Sequence, residues 1–387
     1  MDNKLNILIY IKHFDLTPFT YNEILYLSKH HNVKVLCENV EIDKRFSMDY
    51  IIQFRTETKS LKCKINNFLI QHDLRLSYKS SKISRQFNDI IAQFKPDIIQ
   101  CHYGDDALIF LDNINTLTIP IVIMFHGYDA SAWLRNSTYV KKYKKYLNKP
   151  NIYAICCSEN MKNRLALKGF SKEKITVVYY GTDINFYKRE EYPDNKEFIF
   201  SQISVFRTKK GLEYTLHAFN RYLDKFQNKN FKLILAGDGE LKGKIHELAH
   251  KLELSNFVEF PGWLNQQQAK ELLEKTNVFV HHSITNKDGD MEGIPNVIIE
   301  AMAMELPVIS TFHSGIPELV ENTINGILIK EKDIEGYANA IYDIQKFSYL
   351  KENREKILER FELNQRNNDV NDIILTLTKN HEKTSNQ

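Results

Sequence analysis

Two glutamates eight positions apart, Glu292 and Glu300, frame the segment EGIPNVIIEA. Pro295 suits the first turn of a helix, because its φ is already helical and its missing N–H costs nothing there. A helix starting near residue 295 would leave the backbone N–H groups of Asn296, Val297 and Ile298 without intrahelical acceptors. That makes an anion site, with Gly293 letting a ligand approach the chain. Glu300 then falls in the second turn. Helical side chains lean toward the N-terminus, so its carboxylate can reach back past the anion to hydroxyls on whatever carries it. Glu292 stands in the preceding loop, on the far side of the same anion. Acids on both sides of a phosphate site suit a molecule with sugar hydroxyls on both sides of a diphosphate, a nucleotide sugar.

A carboxylate beside bound phosphate needs a cation. The stretch SVFRTKKG (204 to 211) offers Arg207, Lys209 and Lys210 in a loop closed by Gly211. Arginine can grip phosphate oxygens bidentately, and lysine acts as a point charge. LAGDGELKGK (235 to 244) adds Gly237 and Gly239 after another strand-like run, where a base or phosphate could approach the backbone. The Asp-Gly-Asp at 288 to 290 reads as turn chemistry or an acceptor contact at Asp290, and no metal site is expected there.

The elements that must position these residues come in two series. LNILIYI (5 to 11), VKVLC (33 to 37), DIIQC (97 to 101), IVIMF (121 to 125), IYAICC (152 to 157) and ITVVYY (175 to 180) are apolar strand-like runs separated by helical lengths. The pattern restarts with EFIFSQIS (197 to 204), FKLILAG (231 to 237), NFVEF (256 to 260), NVFVHH (277 to 282) and LPVIS (306 to 310). Strands apolar on both faces that alternate with helices predict parallel sheets covered on both sides, an α/β architecture. The polar stretch NFYKREEYPDNKE (185 to 197) is the expected linker. The division is therefore 1–190, 191–360 and a C-terminal helix and tail over 361–387 that can pack back on the first domain. Ligands of such sheets bind outside the carboxyl ends of the strands, which is where the residues above fall.

A chain of 387 residues suits two domains, and 43% hydrophobic with 26% charged residues excludes a disordered or fibrous protein. The run Leu5 to Ile11 is short for a signal peptide, and no window approaches a membrane span. Five cysteines without metal spacing, Cys63 among basic residues and the other four in strand-like runs, suggest reduced thiols and a cytoplasmic enzyme. Residues 1 to 190 carry 28 Lys and Arg against 19 Asp and Glu, whereas residues 191 to 387 carry 24 against 30. The basic half suits an anionic membrane surface or an anionic substrate, with scattered solvated lysines as the plainer account. Lys141, Lys142, Lys144, Lys145 and Lys149, interleaved with Tyr139, Tyr143 and Tyr146, form the candidate surface-seeking face.

The segments TKKG, LAGDGELKGKI, FPGWL, DGDMEGIPNVIIEAMAMELPVIST and SGIPELV, in this order, resemble the retaining family 4 glycosyltransferases of GT-B fold, in which two Rossmann-like domains face each other across a cleft. Glu292 and Glu300 match that family's E-x7-E signature, and FHGYDAS (125 to 131) resembles its His-Gly-x-Asp loop. The chain looks most like the enzymes that build bacterial capsule, O-antigen or exopolysaccharide units. The resemblance implies that Glu300 holds the nucleotide ribose, with Gly293, Ile294, Asn296, Val297, Gly237 and Gly239 lining the donor site. Glu292 and His126 would meet the donor sugar, and Lys210 its diphosphate, with Asp129 and Asp290 on the acceptor side. The family usually has Gly-Arg where this chain has Ser204 and Val205, so Arg207 is the expected stand-in for that arginine.

The expected substrates are a nucleoside-diphosphate sugar, UDP-linked ahead of GDP-linked, and a glycan or lipid-linked oligosaccharide at the inner face of the cell membrane. No cofactor, metal or nucleic acid is expected. A nucleotide-sugar epimerase and a non-catalytic glycan-binding module are the rival readings. A Rossmann dehydrogenase is disfavoured, because NILIYIKHF offers no Gly-x-Gly-x-x-Gly after the first strand.

Overall fold

The computed structural model describes residues 4–14, 18–40, 50–54, 79–194 and 196–385; Cys63 and part of the loop after the first strand lie outside them. The chain divides into two compact units, residues 1–178 with 367–387, and residues 179–366. Among the described residues no helix is long and apolar enough to cross a membrane.

Beside a short pair of strands, His13–Phe14 and Asn39–Val40, the main sheet of the N-terminal unit is built from β1 (Asn6–Tyr10), β2 (Asn32–Cys37), β3 (Ile51–Gln53), β4 (Ile98–His102), β5 (Ile121–Phe125), β6 (Ile152–Cys156) and β7 (Ile175–Val177). They form one parallel sheet in the order β3-β2-β1-β4-β5-β6-β7. Every residue of β4 and β5 is buried; β5 is an unbroken apolar run, whereas β4 also buries Gln100 and His102. From Asn367 onward the C-terminal helix Leu363–Ser385 belongs to this unit. Its Val370 and Ile374 join Ile7, Ile9, Leu27 and Val33 in the core, and Asn371 Oδ1 bonds His31 Nε2 at 2.7 Å.

The C-terminal unit contains β8 (Phe198–Ile203), β9 (Phe231–Ala236), β10 (Val258–Gly262), β11 (Val278–His281), β12 (Val308–Thr311) and β13 (Gly326–Ile329). Their order is β10-β9-β8-β11-β12-β13, again all parallel. The chain winds outward from β8 in one direction and then from β11 in the other. The switch point lies between those two strands, and a doubly wound sheet opens its ligand crevice there. The loops after β8 and β11 carry Lys210 and Glu292.

Two strands of the main sheets had no counterpart in the sequence pattern. β3 is three residues long, and β13 (GILI) is an edge strand whose register depends on Asn322, whose Oδ1 accepts from Leu328 N at 2.8 Å. The Lys/Tyr stretch is also organised differently from expectation. It is the helix Ser137–Leu147, and the spacing 139, 143, 146 places all three tyrosines on its buried face, at 2%, 0% and 7% exposure. Lys141, Lys144 and Lys145 are exposed, with Lys145 Nζ over the Tyr146 ring at 5.4 Å, whereas Lys142 is buried against Asp112 at 2.7 Å. What alternates along the sequence is segregated in space, so the helix presents a lysine row and no aromatic face.

Gly211 ends the Lys210 loop at φ +61°, and a Cβ there would lie 1.8 Å from the carbonyl oxygen of His282. The turn after β8 thus backs directly onto the end of β11. Gly211→Ala is expected to cost at least about 2 kcal/mol, combining a left-handed φ with a backbone clash. Gly243→Ala, in the helix Lys242–Lys251 with nothing within 4 Å, should be neutral or stabilising by up to about 1 kcal/mol. Thermal unfolding of the two variants checks the contrast, and equal melting temperatures would contradict it.

Candidate active site

Glu292 is buried at the carboxyl end of the C-terminal sheet, with Lys210 Nζ 2.8 Å and Lys209 Nζ 3.9 Å from its Oε1. Lys209 also pairs with Asp290 at 3.1 Å. The loop after β8 therefore supplies two cations to two acids of the loop after β11. The backbone joins the same loops, through Ile284 N donating to Lys209 O at 2.9 Å. Burial alone would push the Glu292 carboxyl up; Lys210, then Lys209, overrule it and hold it at about 2. Asp290 is raised, burial outweighing Lys209. Its own N–H bonds Asp288 Oδ1 at 3.0 Å, so the Asp-Gly-Asp segment is a tight turn. Arg207 is exposed, and no carboxylate among the described residues pairs with it.

The helix after Glu292 runs over Asn296–Ala303, with Pro295 capping it from an extended conformation. Ile298 N bonds Pro295 O at 3.0 Å, so the N–H groups left to an anion are those of Asn296 and Val297, one fewer than the sequence suggested. Glu300 sits one turn on, among buried Ile298, Ile299, Ala301 and Met302. Burial raises its carboxyl to about 7, and the hydrogen bond to the Tyr187 hydroxyl only partly offsets this.

Unpartnered polar atoms gather at the same strand ends. Among the described residues, both ring nitrogens of His281, Nδ1 of His282, the hydroxyls of Ser204, Ser283 and Ser314 and Oδ1 of Asn296 are buried without a hydrogen bond. Burial, with Lys210 for His281, lowers that imidazole to about 3, and burial lowers His282 to about 4; both rings are neutral at physiological pH. Buried polar groups are nearly always satisfied, so a cluster left open at one rim points to a polar ligand there. Gly237 and Gly239 have another explanation. A Cβ at Gly237 would lie 1.8 Å from Ser204 O and one at Gly239 2.8 Å from Phe206 O, so the protein's own loop fills the space expected for a ligand.

In the N-terminal unit, Asp129 is buried and accepts from three backbone amides, Gly104 N (2.8 Å), Gly127 N (2.8 Å) and His126 N (3.0 Å). Its carboxylate ties the loop after β4 to the loop after β5, a holding role in place of the expected acceptor contact. His126 Nε2 lies 3.2 Å from His102 Nδ1, the rings stacked at 4°, and His102 Nε2 lies 3.5 Å from Glu23. Tyr103, against the His126 ring, holds φ +61°, a strained value for a bulky residue.

Two family profiles divide the chain between them: Glycosyltransferase Family 4 matches residues 19–186, and Glycosyl transferases group 1 matches residues 183–361. The chain belongs to these glycosyltransferases. Its fold is GT-B, with a Rossmann-like sheet in each unit. It is 29% identical over 293 residues to the putative colanic acid biosynthesis glycosyltransferase WcaL of Salmonella typhimurium, covering 73% of this chain and 71% of that protein. It is 30% identical over 250 residues to the amylovoran biosynthesis glycosyltransferase AmsK of Erwinia amylovora, covering 63% of this chain and 60% of that one. Among solved structures, a glycosyltransferase from Rickettsia africae superposes with a TM-score of 0.74 at 18% identity over 98% of this chain and all of that one. Anabaena Alr3699/HepE in complex with UDP and glucose superposes with a TM-score of 0.72 at 18% identity, over 96% and 99%.

In this glycosyltransferase the structure brings Lys209, Lys210, Asp290 and Glu292 together, places Glu300 on the helix that follows, and leaves Arg207 reaching into solvent. His126 and Asp129 form a separate cluster in the N-terminal unit. Sequence reading missed four residues that support these: Glu23, His102, His313 and Glu331. His313 is one residue before the SGIPELV segment, and a histidine after an apolar strand was the available signal; Glu331 carried none.

Glu300 provides a pH test. Its folded value of about 7 lies above the ordinary 4.5, so the folded state binds this proton more tightly than the unfolded chain does. That stability is complete below about pH 4.5 and is lost as pH rises through 7. Glu300→Gln should match the wild type near pH 4.5 and exceed it by about 1 to 3 kcal/mol at pH 8. Melting temperatures across that range decide it, and a pH-independent difference would contradict the assignment.

Proposed function

We propose that the protein transfers a sugar from a nucleoside-diphosphate donor to a hydroxyl of a glycan or lipid-linked oligosaccharide, with retention at the anomeric carbon. The observation that carries this reading is the Lys209, Lys210, Asp290 and Glu292 network at the sheet's switch point, beside a helix N-terminus and rimmed by unsatisfied polar atoms. The bond from the anomeric carbon to the diphosphate breaks with its electron pair leaving on the phosphate oxygen. The acceptor oxygen bonds the same face of that carbon, and its proton goes to the departing diphosphate. Lys210, Arg207 and the amides of Asn296 and Val297 stabilise the charge that leaves, which is usually the largest catalytic term. These positive groups make a divalent ion unnecessary to the reading.

Glu300 takes the ribose hydroxyls, and Glu292 the donor sugar near its reacting carbon. The names of WcaL and AmsK, colanic acid and amylovoran biosynthesis, support surface polysaccharide as the product class. Alr3699/HepE, crystallised with UDP, supports a uridine donor ahead of a guanosine one. The enzyme works in the cytoplasm at the inner membrane face. The outward row of Lys141, Lys144 and Lys145 supports contact with anionic lipid.

Thermal shifts with UDP, GDP, ADP and their sugar conjugates, with and without magnesium, test the reading. One nucleoside diphosphate should raise the melting temperature irrespective of magnesium. Its affinity should increase as pH rises through 7, because ionised Glu300 is the stronger acceptor for ribose hydroxyls, and this trend should vanish in Glu300→Gln. Glu300→Ala should weaken binding by tenfold or more, about 1.4 kcal/mol. Lys210→Ala should mainly slow transfer. Isomerisation of the donor without acceptor would establish the epimerase reading instead.

A further inference from the structure

We infer that His313 and Glu331 are positioning residues for Glu292, holding its backbone through a single imidazole of fixed tautomer. This rests on the reading that Glu292 meets the donor sugar. The backbone N–H of Glu292 donates to His313 Nε2 at 3.0 Å. An amide nitrogen can only donate, so Nε2 carries its lone pair. The neutral ring then has its proton on Nδ1, which donates to Glu331 Oε1 at 2.7 Å. Glu331 is itself fixed by Thr285, whose N–H donates to Oε2 at 2.8 Å and whose hydroxyl donates to Oε1 at 3.0 Å.

The members come from three strand ends. Glu292 and Thr285 lie in the loop after β11, His313 follows β12, and Glu331 follows β13. His313 is wholly buried, and its own N–H bonds Thr311 O at 2.7 Å. Two residues on, Gly315 N donates to Gly293 O at 3.3 Å. The turn after β12 therefore grips the Glu292–Gly293 segment by one donor and one acceptor. The Glu331 carboxyl is held at about 2, since burial is overruled by the His313 hydrogen bond and the Thr285 amide. A long loop does not fix a side chain to a fraction of an ångström unaided, and misplacement by about 1 Å can cost about a hundredfold in rate.

Free neutral histidine carries its proton chiefly on Nε2, so a proton on Nδ1 is a signature that ordinary packing does not require. In 15N-histidine-labelled protein, with His313 assigned by its loss in His313→Gln, the ring should show protonated Nδ1 and bare Nε2. The opposite tautomer overturns the inference. The two amide variants divide the contacts between them. His313→Gln places an oxygen where Nε2 was and keeps an acceptor for Glu292, whereas His313→Asn reaches only toward Glu331. His313→Gln should retain kcat within about threefold, and His313→Asn and His313→Ala should lose about tenfold to a hundredfold. UDP or GDP affinity, whichever the panel finds, should stay within about twofold in all three and serves as the check on folding. Equal kcat in the Gln and Asn variants also overturns it. Undiminished transfer by Glu292→Gln would instead remove the reading of Glu292, leaving the tautomer result to stand or fall by itself.

Discussion

A carboxylate as deeply placed as Glu292 can stay ionised only if positive charge is delivered to it, and the C-terminal unit is arranged around that requirement. Lys210 and Lys209 have to come from the neighbouring strand's loop, because β8 and β11 are the pair at which the winding reverses. That loop has to turn sharply enough to lie on the end of β11, which is why only glycine fits at position 211. Removing a lysine would leave a buried charge without a partner. Removing the glycine would move both lysines.

Which parts of this were legible in the sequence follows from the range of each signal. The paired series of apolar runs revealed two parallel sheets, because strands covered on both faces are predominantly apolar. Pro295 marked the start of the helix, which put Glu292 in the loop before it and Glu300 one turn on. These are local patterns. Ile298 was misjudged because a Pro295 carbonyl oriented for a short-range bond is a matter of ψ at one residue. Gly237 and Gly239 were legible as places of close approach, but what approaches is Ser204 and Phe206, more than 30 residues away. His313, Glu331, Glu23 and His102 act through partners 18 to 79 residues distant, and no single-sequence pattern links such pairs.

Asp129 and the tyrosines of the helix Ser137–Leu147 show the same limitation from the opposite side. The tyrosines read as outward-facing from their neighbours in sequence, and the resemblance put Asp129 on the acceptor side. Asp129 instead uses its oxygens on the amides of Gly104, Gly127 and His126, which fixes the backbone from which the His126 ring projects. The tyrosines close the same region from beneath: the Tyr139 hydroxyl donates to Asp129 O at 2.8 Å, and the Tyr143 ring lies 5.4 Å from that of Phe125. Burial was the missing variable in each case, since a residue type announces what it can bond but not which side of the chain is wet.

The two signature glutamates, alike in sequence, are separated by their surroundings. Glu292 faces two lysines and is held at about 2; Glu300 faces apolar neighbours and one tyrosine hydroxyl and rises to about 7. Environments that drive two acids of one site apart assign them different work. An acid that is always charged suits a place where positive charge develops, as at a sugar carbon losing its leaving group. An acid poised between forms costs little to keep in an apolar wall while the site is empty, and becomes a strong acceptor once hydroxyls arrive to be bound. The division of labour proposed between reacting sugar and ribose thus rests on where the lysines are, and the lysines are where the sheet reverses.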